Sequence, residues 1–128
     1  MPDRVSDEEI VDVSIADPRL ASAVLERLVS AAAARAEFPV DRVVNALTVV
    51  DALIHGTDSV LGDKSREIRM TIAKGRVGLR VDSLVDGQAE AIRDAAHLPD
   101  VGDILERTAS TVTIERDGAK SALVIVLD

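Results

Sequence analysis

Ile68, Met70 and Ile72 alternate with charged or hydroxyl residues, and Val77, Leu79 and Val81 repeat that alternation beyond the turn Ala73–Lys74–Gly75–Arg76. A side-chain period of two puts each apolar set on one face, so this stretch is predicted to be a hairpin with one wet and one buried side. A second hairpin is predicted at the C-terminal end, with strands Thr111–Arg116 and Ser121–Leu127 and a turn at the dipeptide Asp117–Gly118. Half-buried strands need a cover, and the chain supplies it upstream.

There the apolar period changes to that of a helix. Asp17 is placed to cap a helix with Pro18 at its first position, and Leu20, Val24, Leu28 and Ala31 recur as one stripe. Alanines at 21, 23, 31–34 and 36 leave thin patches where another element can come close. Phe38–Pro39 breaks this helix, because proline disfavours helical backbone at the residue before it. A second helix is predicted from Val40 to His55, with the stripe Val43, Leu47, Val50 and Ile54, closed by Gly56 and a loop Thr57–Lys64.

A first strand is predicted at Ile10–Ile15, behind a frayed acidic tail of residues 1–8. Gln88–His97 reads as helix, Pro99–Asp103 as a loop or helix start, and Ile104–Ala109 as a short helix. The expected fold is α+β: one domain over residues 9–128, a two-layer sandwich. Its sheet has about five strands, mostly antiparallel or mixed, covered on one face by two long helices and one or two short ones.

Composition narrows the functions such a domain can carry. Apolar residues make up 47% of the 128, yet Phe38 is the only aromatic, so the core must be aliphatic. Stacking on bases has nothing to work with. Fifteen basic against 23 acidic residues give a net charge of −8, which repels nucleic acids and anionic lipid surfaces. An acidic surface keeps a protein soluble and also suits a basic protein partner. Cysteine is absent, which excludes disulfides and thiolate chemistry. The start of the chain is polar and acidic, unlike a signal peptide, and the longest apolar run, Ala122 to Leu127, cannot span a bilayer. A soluble, cytoplasmic protein is expected.

The segment Ile15–Ala16–Asp17–Pro18–Arg19, a long helix ending in the connector AARAEFPVDRV, and a second helix together resemble the anti-sigma-factor serine kinases. These belong to the histidine-kinase-like (GHKL) ATPase superfamily, whose domain is the Bergerat fold. The closing stretch LERTASTVTIERDGAKSALVIVLD is similar to the family's final helix and hairpin. The resemblance runs over about residues 10–127 and implies this family's fold.

The resemblance also implies where a nucleotide would sit. The family's second helix carries a Glu that activates the attacking hydroxyl or water and, four residues on, an Asn that coordinates the magnesium of ATP. One alignment puts Asp51 at the Glu and His55 at the Asn; another puts Asp51 at the Asn and His55 at a later, non-catalytic histidine. Residues i and i+4 share a helical face, so both side chains can address one site. Aspartate is one methylene shorter than glutamate, and magnesium prefers oxygen to imidazole nitrogen. The pair can equally be a local ion pair on a helix surface.

A family D-x-G-x-G turn that reads adenine corresponds here to Asp86–Gly87–Gln88–Ala89, which lacks the spacing and the second glycine. Asp-Gly is also an ordinary turn dipeptide. The family's phosphate loop corresponds to Pro99–Ile104, where Gly102 is the only glycine and is flanked by Asp100 and Asp103. Carboxylates repel phosphates at such a place, and Asp103 serves equally as a helix cap. The candidate site is thus Asp51 as base, with Asp51, His55, Asp86, Gly87 and Gly102 around a nucleotide.

Erosion of these motifs predicts no cofactor, or ATP with magnesium held weakly. The resemblance implies a sigma factor or a STAS-type anti-anti-sigma protein as partner. The expected function is a regulatory binding domain without ATP turnover. A weak ATP-dependent protein-serine kinase and a homodimeric interaction protein are the alternatives. No nucleophile elbow, Walker loop or zinc-protease motif is present. His97 stands alone, and with two histidines and no cysteine a structural zinc site is not expected.

Overall fold

The computed structural model describes residues 8–85, 87–96 and 111–128. Among the described residues five strands and three α-helices follow one another: β1 (Glu9–Ile15), α1 (Ala21–Arg35), α2 (Val40–Leu61), β2 (Arg66–Ala73), β3 (Arg76–Leu84), α3 (Gln88–Ala95), β4 (Thr111–Asp117) and β5 (Lys120–Leu127). The strands form one sheet in the order β1-β2-β3-β5-β4, and each pairing in it is antiparallel. The helices pack against it. The predicted short helix Ile104–Ala109, the loop at Pro99–Asp103 and His97 lie outside the described residues.

Both predicted hairpins form with the expected sidedness. Ile68 pairs with Val81, Met70 with Leu79 and Ile72 with Val77, and all six are buried. Leu123, Ile125 and Leu127 of β5 continue this layer, and Val11 and Val13 of β1 and Val112 and Ile114 of β4 flank it. Near the end of β3 the register with β5 shifts between Val81 and Leu84. Ser83 takes φ 60 there, and this bulge returns Leu84 to the core.

The helix faces differ from the predicted stripes. Asp17 caps a 3-10 turn, Pro18–Leu20, its Oδ1 accepting from the Arg19 N–H at 3.0 Å, and α1 begins after that turn. Leu20 is therefore the residue before the helix and stays 55% exposed, while Ala31 also faces outward. The buried set is one residue later: Ala21, Leu25, Val29, Ala32 and Ala36. Small alanines let α1 sit close to its neighbours, with Val24 and Leu28 filling its flank.

α2 runs six residues beyond His55, through the predicted loop, to Leu61. Gly56 does not end it. A Cβ built there would lie 2.6 Å from the Ile92 carbonyl oxygen and 3.0 Å from Ala96 Cβ, so the glycine is where α3 crosses. Of the predicted stripe only Val50 is fully buried. Because α2 touches both α1 and α3, its buried residues form a broad band that includes Ala46, Val49, Ala52, Leu53 and Leu61.

Arg66 was unforeseen as a core residue. It opens β2 on the helix side, is 1% exposed, and donates to Asp58 Oδ1 at 2.8 Å and to the Gly62 carbonyl at 3.0 Å. Its cation thus sits at the C-terminal end of α2, where carbonyls lack helical partners and the helix dipole is negative.

Candidate functional site

Asp51 and His55 lie one turn apart on α2, and both are solvent-exposed. The expected pairing between them is not what Asp51 makes. Its carboxylate shares a hydrogen bond with Glu26 of α1, and this contact raises the Glu26 pKa, first through that bond and then through the Asp51 charge. Two acidic groups so placed share a proton most readily when one of them is neutral. Among the described residues no hydrogen bond or ion pair joins Asp51 to His55.

Gly87 precedes α3 with φ 82 and ψ −13, in the left-handed region that glycine alone adopts without strain. An added Cβ there would meet nothing within 4 Å, so this backbone is open on one side. The turn is held locally: Gln88 N–H donates to the Val85 carbonyl at 3.1 Å, and Val85 N–H donates to Gln88 Oε1 at 2.9 Å. Asp86 and Gly102, the other two nucleotide candidates, lie outside the described residues, as does Asp103.

The donor set that remains does not fit magnesium well. It offers an imidazole and a carboxylate already shared with Glu26 where an octahedral shell of oxygens is needed. Among the described residues no three His, Cys, Asp or Glu side chains come together as a metal site. No step through ATP is therefore derived.

Two concave features among the described residues lie elsewhere. A recess of about 680 Å³ runs over the open face of the sheet, opposite the helices, and a second of about 410 Å³ lies around Leu61, Lys64, Leu84, Val85 and Gln88. Glu67, Asp82 and Ser83 line both, and neither is lined by Asp51, His55 or Gly87. On the open face, Arg69 grips Asp12 through Nε and Nη2 at 2.8 and 3.2 Å. Arg80 binds Asp82 at 2.6 Å and also Glu115. Ser14 donates to Glu67 at 2.6 Å. The Arg69 bond holds the Asp12 carboxyl below its ordinary range, and Arg69 and Arg80 are raised by their carboxylate partners.

The inward half of the strand alternation specifies the core and carries no information on these groups. The outward half, Asp12 and Ser14, Glu67 and Arg69, Arg80 and Asp82, was the available signal, and strand order assembles it into rows. No described helix is long and apolar enough to cross a membrane.

No protein-family model matches the chain, and a search of curated proteins finds no significant match.

Proposed function

We propose that this chain is a regulatory protein-binding domain of anti-sigma-like, Bergerat-type fold. In this reading it acts in the cytoplasm by occupying a sigma factor or a STAS-type anti-anti-sigma protein, without turning over ATP. The observation that carries the absence of turnover is the Glu26–Asp51 contact. In the alignment that puts Asp51 at the family's catalytic Glu, that residue is engaged by a second carboxyl, and among the described residues no magnesium-suited oxygen shell stands beside it. The partner class rests on the segments quoted above, and the α+β architecture with helices on one side of an antiparallel sheet is compatible with it.

The alternative, a weak protein-serine kinase, is favoured by one feature, the open left-handed glycine Gly87. Backbone of that kind is where a ligand can approach closely.

Calorimetric titration with magnesium-ATP at low salt separates the two. The binding-domain reading expects no isotherm, together with saturable binding to a purified sigma factor or STAS protein from the same genome. A one-site isotherm weakened by Asp51→Ala moves the kinase reading ahead. Failure to bind ATP, sigma factors and STAS proteins alike would overturn both.

A further inference from the structure

The turn between β4 and β5 brings together an unpaired carboxyl and an unbonded backbone amide. Asp117 pairs with Lys120, so the loop is Gly118 and Ala119 alone, and Gly118 takes φ 63. Glycine is favoured at the first position of a two-residue turn of this kind. An added Cβ on Gly118 would meet nothing within 4 Å, so its backbone is open on that side. Among the described residues the Gly118 N–H has no hydrogen-bond acceptor. The Asp117 side chain is exposed and, among the described residues, has no hydrogen-bond or ion-pair partner. Other carboxylates of the sheet differ: Arg69 holds Asp12, and Arg80 holds both Asp82 and Glu115.

We propose that Asp117–Gly118 is a modification site, at which aspartate isomerises spontaneously in the folded protein. The Gly118 nitrogen attacks Cγ of the protonated Asp117 carboxyl and forms a new C–N bond. One carboxyl oxygen leaves as water, taking the amide hydrogen and the carboxyl's own proton. The product is a five-membered succinimide, which water then opens at one of its two carbonyls. Addition at Cγ restores aspartate. Addition at the main-chain carbonyl carbon leaves the chain running through Cβ and Cγ beside a free α-carboxylate, which is isoaspartate. One water leaves and one enters, nothing is oxidised, and no cofactor takes part.

The reaction needs a carboxyl able to turn back on the next amide, and an amide that is neither crowded nor bonded. Every other aspartate within the described residues is followed by a residue with a Cβ, which crowds the attack, or ends the chain. Asp51 and Asp58 also lie within α2, where the next N–H is engaged in the helical ladder. The place of the turn in the sheet sets the consequence. Isoaspartate adds one backbone atom at the tightest point of the hairpin, next to the pairs Asp117–Lys120 and Arg116–Ser121. β4 is an edge strand whose one neighbour is β5, and its Val112 and Ile114 only flank the core. The extra atom is therefore absorbed by β4 slipping from its register while the inner strands keep theirs. The link from Arg116 to Glu90 of α3 is lost with it. The new α-carboxylate is also the group that isoaspartate-specific carboxyl methyltransferases esterify with S-adenosylmethionine, so the aged hairpin fits an enzyme of that class.

Ageing the full chain, native and in urea, tests this. Isoaspartate is read by methyl transfer from labelled S-adenosylmethionine with an isoaspartyl methyltransferase, and is located by mass-spectrometric fragmentation at the β-linked residue. The native protein is expected to accumulate isoaspartate at position 117, through a species lighter by one water. Asp117→Glu keeps the charge and the turn glycine but requires a six-membered ring, and is expected to abolish the signal. Asp117→Asn, which expels ammonia instead of water, is expected to reach the same product faster. Amide exchange in the aged protein should quicken across Thr111–Asp117 and stay unchanged across Ile68–Ile72. Native protein that gains no isoaspartate at position 117 overturns the proposal. So does a signal confined to urea, or one that Asp117→Glu leaves intact because it arises at another aspartate such as Asp86.

Discussion

Arg66 donates to Asp58 at 2.8 Å across the junction of α2 and β2, from a side chain that is 1% exposed to a carboxylate that is about half exposed. The same guanidinium reaches the Gly62 carbonyl at 3.0 Å and, more loosely, the Lys64 carbonyl at 3.3 Å and the Thr57 carbonyl at 3.4 Å. One side chain therefore closes the open end of a 22-residue helix and pins it to the first core strand. Because Asp58 keeps its water, the desolvation penalty falls mainly on the arginine, and its several acceptors offset it. Arg66→Ala is expected to cost about 2–4 kcal/mol, since hydrogen bonds to a charged group are worth about 1.5–3 kcal/mol and a cavity is added. Three of these four bonds come from Nη2, and Nε has no partner, so Arg66→Lys should recover part of the loss where its three-donor ammonium reaches the same acceptors, and fall short by the length of the missing guanidinium. Urea denaturation of the two variants checks both statements; a lysine variant as stable as the wild type would contradict the second.

Gly56 offers a prediction in which two effects oppose each other. Alanine in place of an interior helical glycine ordinarily stabilises by about 1 kcal/mol. Here the new methyl would sit 2.6 Å from the backbone oxygen of Ile92, which cannot move without shifting α3. Overpacking of that kind costs about 1–3 kcal/mol, so Gly56→Ala should be net destabilising and should loosen α3 first. Amide exchange would then accelerate across Gln88–Ala95 more than across α1.

The same glycine shows what the sequence makes legible and what it hides. Strand alternation around Ile68–Ile72 and Val77–Val81 specified two strands, their turn and their inner face, because a period of two has only one alternative and polarity decides between them. Helix faces were less legible. α1 has two interleaved apolar stripes, and the one with larger residues, Leu20 to Ala31, is not the buried one. Contact with neighbours selects small alanines, and that selection is tertiary. Gly56 and Arg66 carry local signals for a helix stop and a solvent-facing strand residue, and the crossing of α3 and the unpaired end of α2 override both. Of the candidate site, the shared face of Asp51 and His55 was readable from spacing, whereas the Glu26 contact depends on how α1 lies on α2.

Glu37 follows α1 with φ 63, left-handed backbone on a residue with a Cβ. The helix end is fully bonded around it: Phe38 N–H donates to the Ala33 carbonyl at 2.9 Å and Glu37 N–H to the Ala34 carbonyl at 3.1 Å. This double closure is where helices usually place glycine. The side chain offers only a 3.8 Å approach to Lys74, with both groups largely exposed, and such a pair contributes little. Glu37→Gly is expected to stabilise by about 1 kcal/mol, the cost of a left-handed non-glycine residue. Thermal melts should show a rise of a few degrees, and a fall would mean that the Lys74 contact outweighs the backbone.

The Glu26–Asp51 contact carries a pH dependence whose sign can be worked out. Asp51 raises the Glu26 pKa, so the folded state holds the Glu26 proton more tightly than the unfolded chain does. Stability from this site is therefore fully present below the ordinary glutamate range and is lost as pH rises through the raised value. Where both groups are charged they repel. Glu26→Gln keeps the hydrogen bond available while removing that repulsion, so the variant should melt above the wild type at pH 7. Its advantage should shrink as the pH is lowered and vanish once Glu26 is protonated in both folded and unfolded wild type. Asp51→Asn should behave alike, because either substitution leaves one carboxyl. Melting temperatures of both variants and the wild type, followed from neutral to acid pH, check the claim. A difference that stays constant over that range would mean that the two carboxyls do not meet, and the observation that argues against ATP turnover would go with it.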